Sequence, residues 1–158
     1  MRKKLFELLI QEMRSNKNII FITPDMGYGF IEKIEDECDN QFFNIGASEQ
    51  LAMGMAVGFA IDVKIPIVYS ITPFLLYRPF EWIRLYLNHE RWPVKLIGTG
   101  RDIEYFADGF THWANDDFKI MECFPNIDKY WPETDKDLEK KFIEFLYSKN
   151  PAYLNVRR

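Results

Sequence analysis

Short apolar segments that recur along the chain limit its possible folds more than any other feature of the sequence. Four of them are residues 18–25 (NIIFITPD), 41–46 (QFFNIG), 64–71 (KIPIVYSI) and 94–100 (VKLIGTG). A short run without polar alternation is typical of a strand that is buried on both faces of a sheet. Residues 151–158 (PAYLNVRR) supply a fifth predicted strand at the end of the sequence.

Stretches with helical patterns separate the predicted strands. Residues 133–150 form an amphipathic pattern that begins near Thr134, a residue type that commonly caps the start of a helix. Ser48 is a predicted cap of the same kind for residues 49–61. The other predicted helical segments are residues 2–15, the charged stretch that ends near Cys38, the later part of residues 72–92, which begin as an aromatic-rich loop, and residues 115–123.

The alternation of short buried strands with helices predicts the fold class. Consecutive parallel strands need crossover connections, and the crossover helices cover both faces of the sheet. We therefore expect an α/β fold, a three-layer α/β/α domain around a mainly parallel, twisted sheet. Because no repeat, linker or low-complexity stretch divides the sequence, residues 1–158 are expected to form a single domain.

Charge and composition argue against several classes of function. The net charge is −4 and no basic block occurs, whereas nucleic-acid binding needs clustered lysine and arginine. No apolar run approaches the roughly 20 residues of a membrane-spanning helix, and residues 2–15 are too polar for a signal peptide. Cys38 and Cys123 belong to no cluster with metal-ligand spacing. We expect a cytoplasmic protein whose own residues form no metal site.

Candidate catalytic and ligand-binding residues follow the ends of the first four predicted strands. Parallel strands bring their carboxyl ends to one edge of a sheet, where ligands usually bind. These residues are therefore expected to lie along one edge. They are Asp25 after the first strand, Glu49 after the second, Phe74, Tyr77 and Phe80 after the third, and Asp108 and His112 after the fourth.

Each of these residues, taken alone, also has a purely structural explanation. Glu49 in a first helical turn would stabilise the helix dipole by about 0.3–1 kcal/mol. An aromatic stripe such as Phe74 and Tyr77 is more often part of a core, and His112 is more often a hydrogen-bonded loop residue. The glycine-rich turn of residues 26–30 lacks the spacing of a nucleotide-phosphate loop. The argument for function therefore depends on the residues as a set.

The set resembles the pyrimidine-binding domain of thiamine-diphosphate enzymes of the transketolase type, a domain that deoxyxylulose-phosphate synthases share. The resemblance covers residues 5–155, nearly the whole sequence. It implies the pyrimidine-type version of the thiamine-diphosphate-binding fold. The matching segments are PDMG (24–27), FFNIGASEQLAMGMAVGFA (42–60), ITPFLLYRPFEWIR (71–84) and GTGRDIEYFADGFTHWANDDFKIMECFPN (98–126).

The resemblance implies a cofactor-binding role for several of these residues. Glu49 corresponds to the glutamate that hydrogen-bonds N1′ of the aminopyrimidine and so helps the neighbouring 4′ nitrogen take the proton from C2. Phe74 and Tyr77 correspond to aromatic residues that line and stack on the pyrimidine, and Phe80 to a third aromatic nearby. Asp25 corresponds to an acid near the thiazolium end.

Other matches concern the substrate. Asp108 and His112 fall in the D-G-x-T-H segment that contacts sugar oxygens in transketolases, and His112 is expected to act in catalysis with Glu49. Arg78 has two interpretations. It could bind a substrate phosphate or carboxylate, as a nearby arginine does in deoxyxylulose-phosphate synthases, or it could be a solvated surface charge. Trp113 departs from the usual glutamine after T-H, which leaves the substrate open.

The family's diphosphate-binding signature, G-D-G followed by a distant asparagine, does not occur in this sequence. The resemblance therefore implies one half of a split enzyme. Thiamine diphosphate would bind between this chain and a diphosphate-binding partner that holds most of the Mg²⁺ contacts, in a heterodimer or an α2β2 heterotetramer. The expected reaction is transfer of a two-carbon ketol unit between sugar phosphates or related carbonyl compounds. The alternatives are a β-type subunit of a thiamine-dependent 2-oxoacid decarboxylase or dehydrogenase, and a non-catalytic assembly module.

The helix predicted after Glu49 is unusually slim, because small residues recur along it. Gly54 and Gly58 lie four residues apart and would permit close approach of another backbone. The resemblance places this helix at an interface between subunits. Packing of the same small residues against the domain's own sheet is the alternative.

Overall fold

A six-stranded, entirely parallel sheet forms the centre of the computed structural model, which describes residues 1–158. All five predicted segments form strands, and a sixth, β5, was not predicted because it is only three residues long and includes two charged residues. The strand order is β2-β1-β3-β4-β6-β5, which confirms the predicted fold class. The strands are β1 (Ile19–Thr23), β2 (Phe42–Asn44), β3 (Ile65–Ile71), β4 (Lys95–Thr99), β5 (Asp128–Tyr130) and β6 (Ala152–Val156).

Helices connect the strands and cover both faces of the sheet. Three short 3₁₀ turns also occur, at Asp39–Gln41, Phe106–Asp108 and Phe110–His112. None of the helices is both long and apolar enough to cross a membrane. The helices are α1 (Arg2–Ser15), α2 (Ile31–Cys38), α3 (Glu49–Ile61), α4 (Thr72–Tyr77), α5 (Phe80–Trp82) with a π-helical continuation (Ile83–His89), α6 (Asp117–Glu122) and α7 (Asp135–Tyr147).

Two hydrophobic cores lie on opposite faces of the sheet. Alternate residues of β1 show the arrangement, since Ile19 and Phe21 pack in one core and Ile20 and Ile22 in the other. Side chains of α1, α2 and α7 complete the first core, and side chains of α3, α4 and the π-helical segment complete the second. This burial of both faces is the physical reason why the strand sequences lack polar alternation.

The segment after β3 differs from its prediction as a loop that becomes a helix. It is helical from Thr72 onward, with Pro73 in the first turn, where a missing N–H is tolerated. The helix is interrupted at Pro79, which cannot donate a helical hydrogen bond, and α5 follows it directly. The aromatic residues of this segment are therefore carried by a rigid helix.

The two predicted helix caps have different outcomes. Thr134 precedes α7 and its side chain accepts a hydrogen bond from the backbone N–H of Asp137 at 3.1 Å, as predicted. Ser48 precedes α3, but its side chain makes no capping hydrogen bond, so that part of the prediction is wrong. Its backbone N–H donates instead to the carbonyl of Gly46 at 2.7 Å.

The small residues of α3 serve partly for packing inside the domain. A Cβ added at Gly54 would lie 3.3 Å from the ring of Trp82, so this glycine makes room for the indole. Gly58 is exposed, and no heavy atom would lie within 4 Å of an added Cβ there. Gly54 thus supports the intradomain alternative, while Gly58 belongs to the outer face of the helix.

Candidate active site

The residues singled out from the sequence follow four neighbouring strands. Strands β2, β1, β3 and β4 are adjacent and parallel, so the segments that follow them leave the sheet at the same edge. Loops at the carboxyl edge of such a sheet are the usual place for a ligand. This edge carries the candidate site.

Glu49 is buried at the first residue of α3. Its side chain is 7% exposed, and its carboxylate accepts a hydrogen bond from Nη1 of Arg78, whose side chain is 46% exposed. The guanidinium carbon of Arg78 lies 3.7 Å from the ring centre of Phe74. The planar cation is therefore held between a carboxylate and an aromatic ring, and Arg78 is not a free surface charge.

Phe74 links this pair to the segment after β4. Its ring centre lies 4.8 Å from that of His112, with an interplanar angle of 67°. Nδ1 of His112 lies 2.9 Å from the hydroxyl oxygen of Thr111. Glu49, Arg78, Phe74 and His112 thus form a continuous row of contacts along the carboxyl edge.

Two hollows open beside this row, and Arg78 lines both of them. The first, of about 300 Å³, lies between α4 and the segment 110–116. The second, of about 570 Å³, lies over the start of α3. Phe74, Tyr77, Trp113 and Asp116 are among the residues of the first hollow, and Ser48, Glu49, Gln50 and Leu51 are among those of the second.

Tyr77 and Phe80 occupy different environments although both follow β3. Tyr77 is 40% exposed and lines the first hollow, where partial burial and then the neighbouring Asp116 carboxylate raise its pKa above the ordinary value. Phe80 packs on the second core, with its ring centre 5.1 Å from that of Phe124. That position favours a packing role for Phe80.

Asp25 and Asp108 lie on exposed turns. Asp25 has a backbone φ of 57°, and its N–H donates to Oδ1 of Asn44 at 3.0 Å. Its carboxylate accepts a hydrogen bond from the hydroxyl of Tyr28. Asp108 ends a 3₁₀ turn and is exposed, and Gly109 follows it at a φ of 83°, a conformation that favours glycine.

A second buried carboxylate, Asp117, was missed by the sequence analysis. It is 3% exposed at the start of α6. It accepts hydrogen bonds from Nε1 of Trp131 at 2.9 Å, the hydroxyl of Tyr153 at 3.0 Å and Nδ2 of Asn155 at 2.7 Å. Tyr153 and Asn155 are alternate residues of β6 and so share one face of the sheet, which is the signal that could have revealed this cluster.

Hydrogen bonds connect the Asp117 cluster to the start of α4. Nδ2 of Asn155 also donates to the hydroxyl of Thr72 at 3.3 Å, and that hydroxyl donates to the carbonyl of Gly100 at 2.8 Å. Thr72 is the first residue of the helix that carries Phe74. The cluster therefore fixes the position of α4 relative to the end of β4.

Arg101 anchors the segment that leads to His112. Its side chain is 6% exposed and its Nη2 donates to the carbonyls of Pro132 at 2.8 Å and Asn155 at 2.6 Å. Nη1 donates to a carboxylate oxygen of Glu133 at 2.9 Å. No group of three or more histidine, cysteine, aspartate or glutamate side chains that could hold a metal ion is present.

These features define the chain as an α/β domain whose candidate site opens at the carboxyl edge of a parallel sheet. The sequence family described as "Transketolase, pyrimidine binding domain" matches residues 1–158. The chain belongs to this family, which confirms the resemblance found in the sequence. Membership of the transketolase family implies thiamine diphosphate as the cofactor.

Several curated proteins are similar to the whole chain. It is 31% identical over 160 residues to a "Putative transketolase C-terminal section" of Methanocaldococcus jannaschii, covering 100% of this chain and 50% of that protein. It is 28% identical to a subunit of the apulose-4-phosphate transketolase of Phocaeicola vulgatus, covering 99% of this chain and 51% of that protein. It is 24% identical to "6-deoxy-6-sulfo-D-fructose transketolase subunit SqwH" of Clostridium sp. (strain MSTE9), covering 100% of this chain and 49% of that protein. The chain thus spans about half the length of these relatives.

Solved structures show the same fold. A structure described as "Split gene transketolase, inactive beta4 tetramer" superposes with a TM-score of 0.86 at 23% identity, over 99% of this chain and 51% of that one. Transketolase from Leishmania mexicana superposes with a TM-score of 0.87 at 16% identity, over 99% of this chain and 25% of that one.

Proposed function

We propose that the chain is the pyrimidine-binding subunit of a split, thiamine-diphosphate-dependent transketolase-like enzyme. The reaction would be the transfer of a two-carbon ketol unit between sugar phosphates or related carbonyl compounds. The observation that carries this proposal is the buried carboxylate of Glu49 at the carboxyl edge of the sheet, which the guanidinium of Arg78 links to the face of Phe74.

The contacts of Arg78 provide a test of whether this site suits an aminopyrimidine. A guanidinium is flat, positively charged and rich in N–H donors. Here it donates to Glu49 while it stacks on Phe74. An aminopyrimidine protonated at N1′ shares these three properties, so the residues present fit the group.

Glu49 would hold a proton at N1′ of the bound pyrimidine. Thiamine diphosphate supplies the carbon nucleophile of the reaction, and the protein supplies orientation and electrostatics. A charge-assisted hydrogen bond of this kind is strong where water is excluded, and Glu49 is only 6% exposed. The faces of Phe74 and Tyr77 would orient the ring.

The segment after β4 would contact the substrate. The ring centre of His112 lies 4.8 Å from that of Phe74, which supports a position for its imidazole beside the proposed pyrimidine site. Asp108 is exposed on the same segment and available to sugar hydroxyl groups. Asp25, on the turn after β1, would approach the thiazolium end.

A partner chain would hold the diphosphate and Mg²⁺. The support for this arrangement comes from the relatives, whose descriptions name subunits, a section and a split-gene protein. We propose a heterodimer or an α2β2 heterotetramer in which the cofactor lies between the two kinds of chain. Leu51 and Ile61, which are 54% and 56% exposed on the outer side of α3, are candidates for contacts between subunits.

Exchange of the C2 proton of thiamine diphosphate for deuterium tests this proposal. In the chain assembled with its diphosphate-binding partner, Glu49→Gln should slow this exchange by about 10²–10⁴-fold, because the amide cannot hold the proton at N1′. Glu122→Gln, at an exposed position in α6, is the matched control. An exchange rate in Glu49→Gln equal to that of the control would remove Glu49 from the proposed role.

A further inference from the structure

Arg78 makes contacts that are unusual for a half-exposed arginine. It follows the last residue of α4, and its backbone carbonyl accepts a hydrogen bond from Nε2 of Gln50 at 3.3 Å. Its guanidinium contacts the carboxylate of Glu49 and the face of Phe74. The backbone of this residue is thus tied to α3, while the side chain reaches across the groove between the two helices.

We propose that Arg78 is a built-in placeholder, whose guanidinium takes the position of the aminopyrimidine until the cofactor binds and must then turn out of the site. This inference rests on the proposed function and adds a regulatory step to it. The two groups assigned to the pyrimidine, the Glu49 carboxylate and the Phe74 face, are both engaged by the same guanidinium. They cannot contact Arg78 and a pyrimidine ring in this way at the same time.

The placeholder has a physical reason to exist. A buried carboxylate without a partner is strongly unfavourable, because it loses its hydration without compensation. Glu49 has no salt-bridge partner other than Arg78. The arginine therefore keeps the binding site folded and charge-balanced before the cofactor supplies the replacement partner.

The same contacts show that the placeholder can be displaced. Nearly half of the Arg78 side chain is exposed, and exposed side chains change rotamer within picoseconds to nanoseconds. The backbone need not move, because only the side chain enters the site. By contrast, Arg101 is 6% exposed and its guanidinium donates to two backbone carbonyls, so that arginine is locked.

The two hollows of the candidate site are consistent with this role. Arg78 lines the hollow beside Phe74 and also the hollow over Glu49. Rotation of the guanidinium toward solvent would join them into one groove that presents the carboxylate and the aromatic face together. A flat heterocycle needs such a joined groove to contact both groups.

The test measures binding of the pyrimidine half of the cofactor alone, 4-amino-5-hydroxymethyl-2-methylpyrimidine, by NMR titration of the full chain. This probe has no diphosphate and so needs no partner chain. Arg78→Gln should bind it about tenfold more tightly than the unmodified chain, because apparent affinity falls with the fraction of protein whose site is blocked. Arg84→Gln, which changes an exposed arginine without a salt bridge, should bind like the unmodified chain. Equal affinities of Arg78→Gln and the unmodified chain would overturn the proposal.

A second measurement does not depend on the folding of any Arg78 variant. In the unmodified chain, the side-chain protons of Arg78 should show an upfield ring-current shift from Phe74, and saturating pyrimidine should abolish it. An Arg78 signal that keeps its shift when pyrimidine is bound would refute displacement.

Evidence against the placeholder role of Arg78 and evidence against the proposed function would differ in which chains bind the pyrimidine probe. In one outcome, the unmodified chain and Arg78→Gln bind the probe equally, while adding Glu49→Gln to each of these chains weakens its binding. That result refutes the placeholder but leaves the pyrimidine site standing. If neither chain binds the probe, whether alone or assembled with the diphosphate-binding partner, both proposals are refuted.

Discussion

Two buried carboxylates at the carboxyl edge of the sheet differ in how their hydrogen-bonding needs are met. Asp117 and Glu49 are 3% and 6% exposed, and each lies at the first residue of a helix. Asp117 accepts hydrogen bonds from three neutral donors of well-packed residues. Glu49 has one partner, a half-exposed arginine.

The difference distinguishes a structural acid from one that is available to a ligand. The partners of Asp117 are brought to it by the fold, so its hydrogen bonds are complete once the sheet has formed. The partner of Glu49 is a flexible side chain that can leave without disturbing a core. Burial alone would have ranked the two acids as equivalent, whereas the character of their partners separates them.

The largest expected effect on stability is at Asp117. Asp117→Ala would leave the donors of Trp131, Tyr153 and Asn155 without their acceptor in a buried site, at a cost of about 3 kcal/mol or more in the free energy of unfolding. Urea denaturation followed by circular dichroism measures this loss.

Glu49→Gln in the same denaturation series is the matched comparison. It should cost less than about 1 kcal/mol, because the guanidinium of Arg78 can turn into solvent and half-exposed ion pairs contribute little. Similar losses in the free energy of unfolding for Asp117→Ala and Glu49→Gln would contradict the distinction between the two acids.

A smaller effect concerns alkaline pH. Burial, and then the Asp117 carboxylate, raise the pKa of Tyr153 well above its ordinary value, which is near 10 in the unfolded chain. The stability that this protonated hydroxyl provides is therefore complete below pH 10 and is lost as the pH rises above it. One such group changes the free energy of unfolding by about 1.4 kcal/mol per pH unit.

Tyr153→Phe should reduce the steepness of this alkaline loss by one proton. Urea denaturation at several pH values between about 9 and 11 measures the slope. An unchanged slope would mean that the hydroxyl of Tyr153 is not held protonated by its surroundings, and the Asp117 cluster would be less tightly closed than the structure indicates.

The strands of the sheet could be predicted well because the signal for each strand lies within a few consecutive residues. Strands buried on both faces lack polar alternation, and the cap at Thr134 needs only a residue three positions later. Glu49, Phe74 and His112 were also brought together as expected, since each follows the end of a parallel strand. β5 was not predicted, because a polar segment of three residues carries no periodic signal.

The pairing of side chains across the site could not be predicted in the same way. Arg78 and Glu49 are 29 residues apart, and the contact depends on how α4 packs against α3. The direction taken by a long, flexible side chain has no signature in spacing. The same limit applies to Asp117, whose donors come from β6 and from Trp131 near the end of β5.

The most direct test of the account is a crystal structure of the chain assembled with its partner and thiamine diphosphate. The account predicts a hydrogen bond between the Glu49 carboxylate and N1′ of the pyrimidine, with the ring beside Phe74 and the Arg78 guanidinium turned away. A structure in which Glu49 remains paired with Arg78 while the pyrimidine binds elsewhere would contradict it.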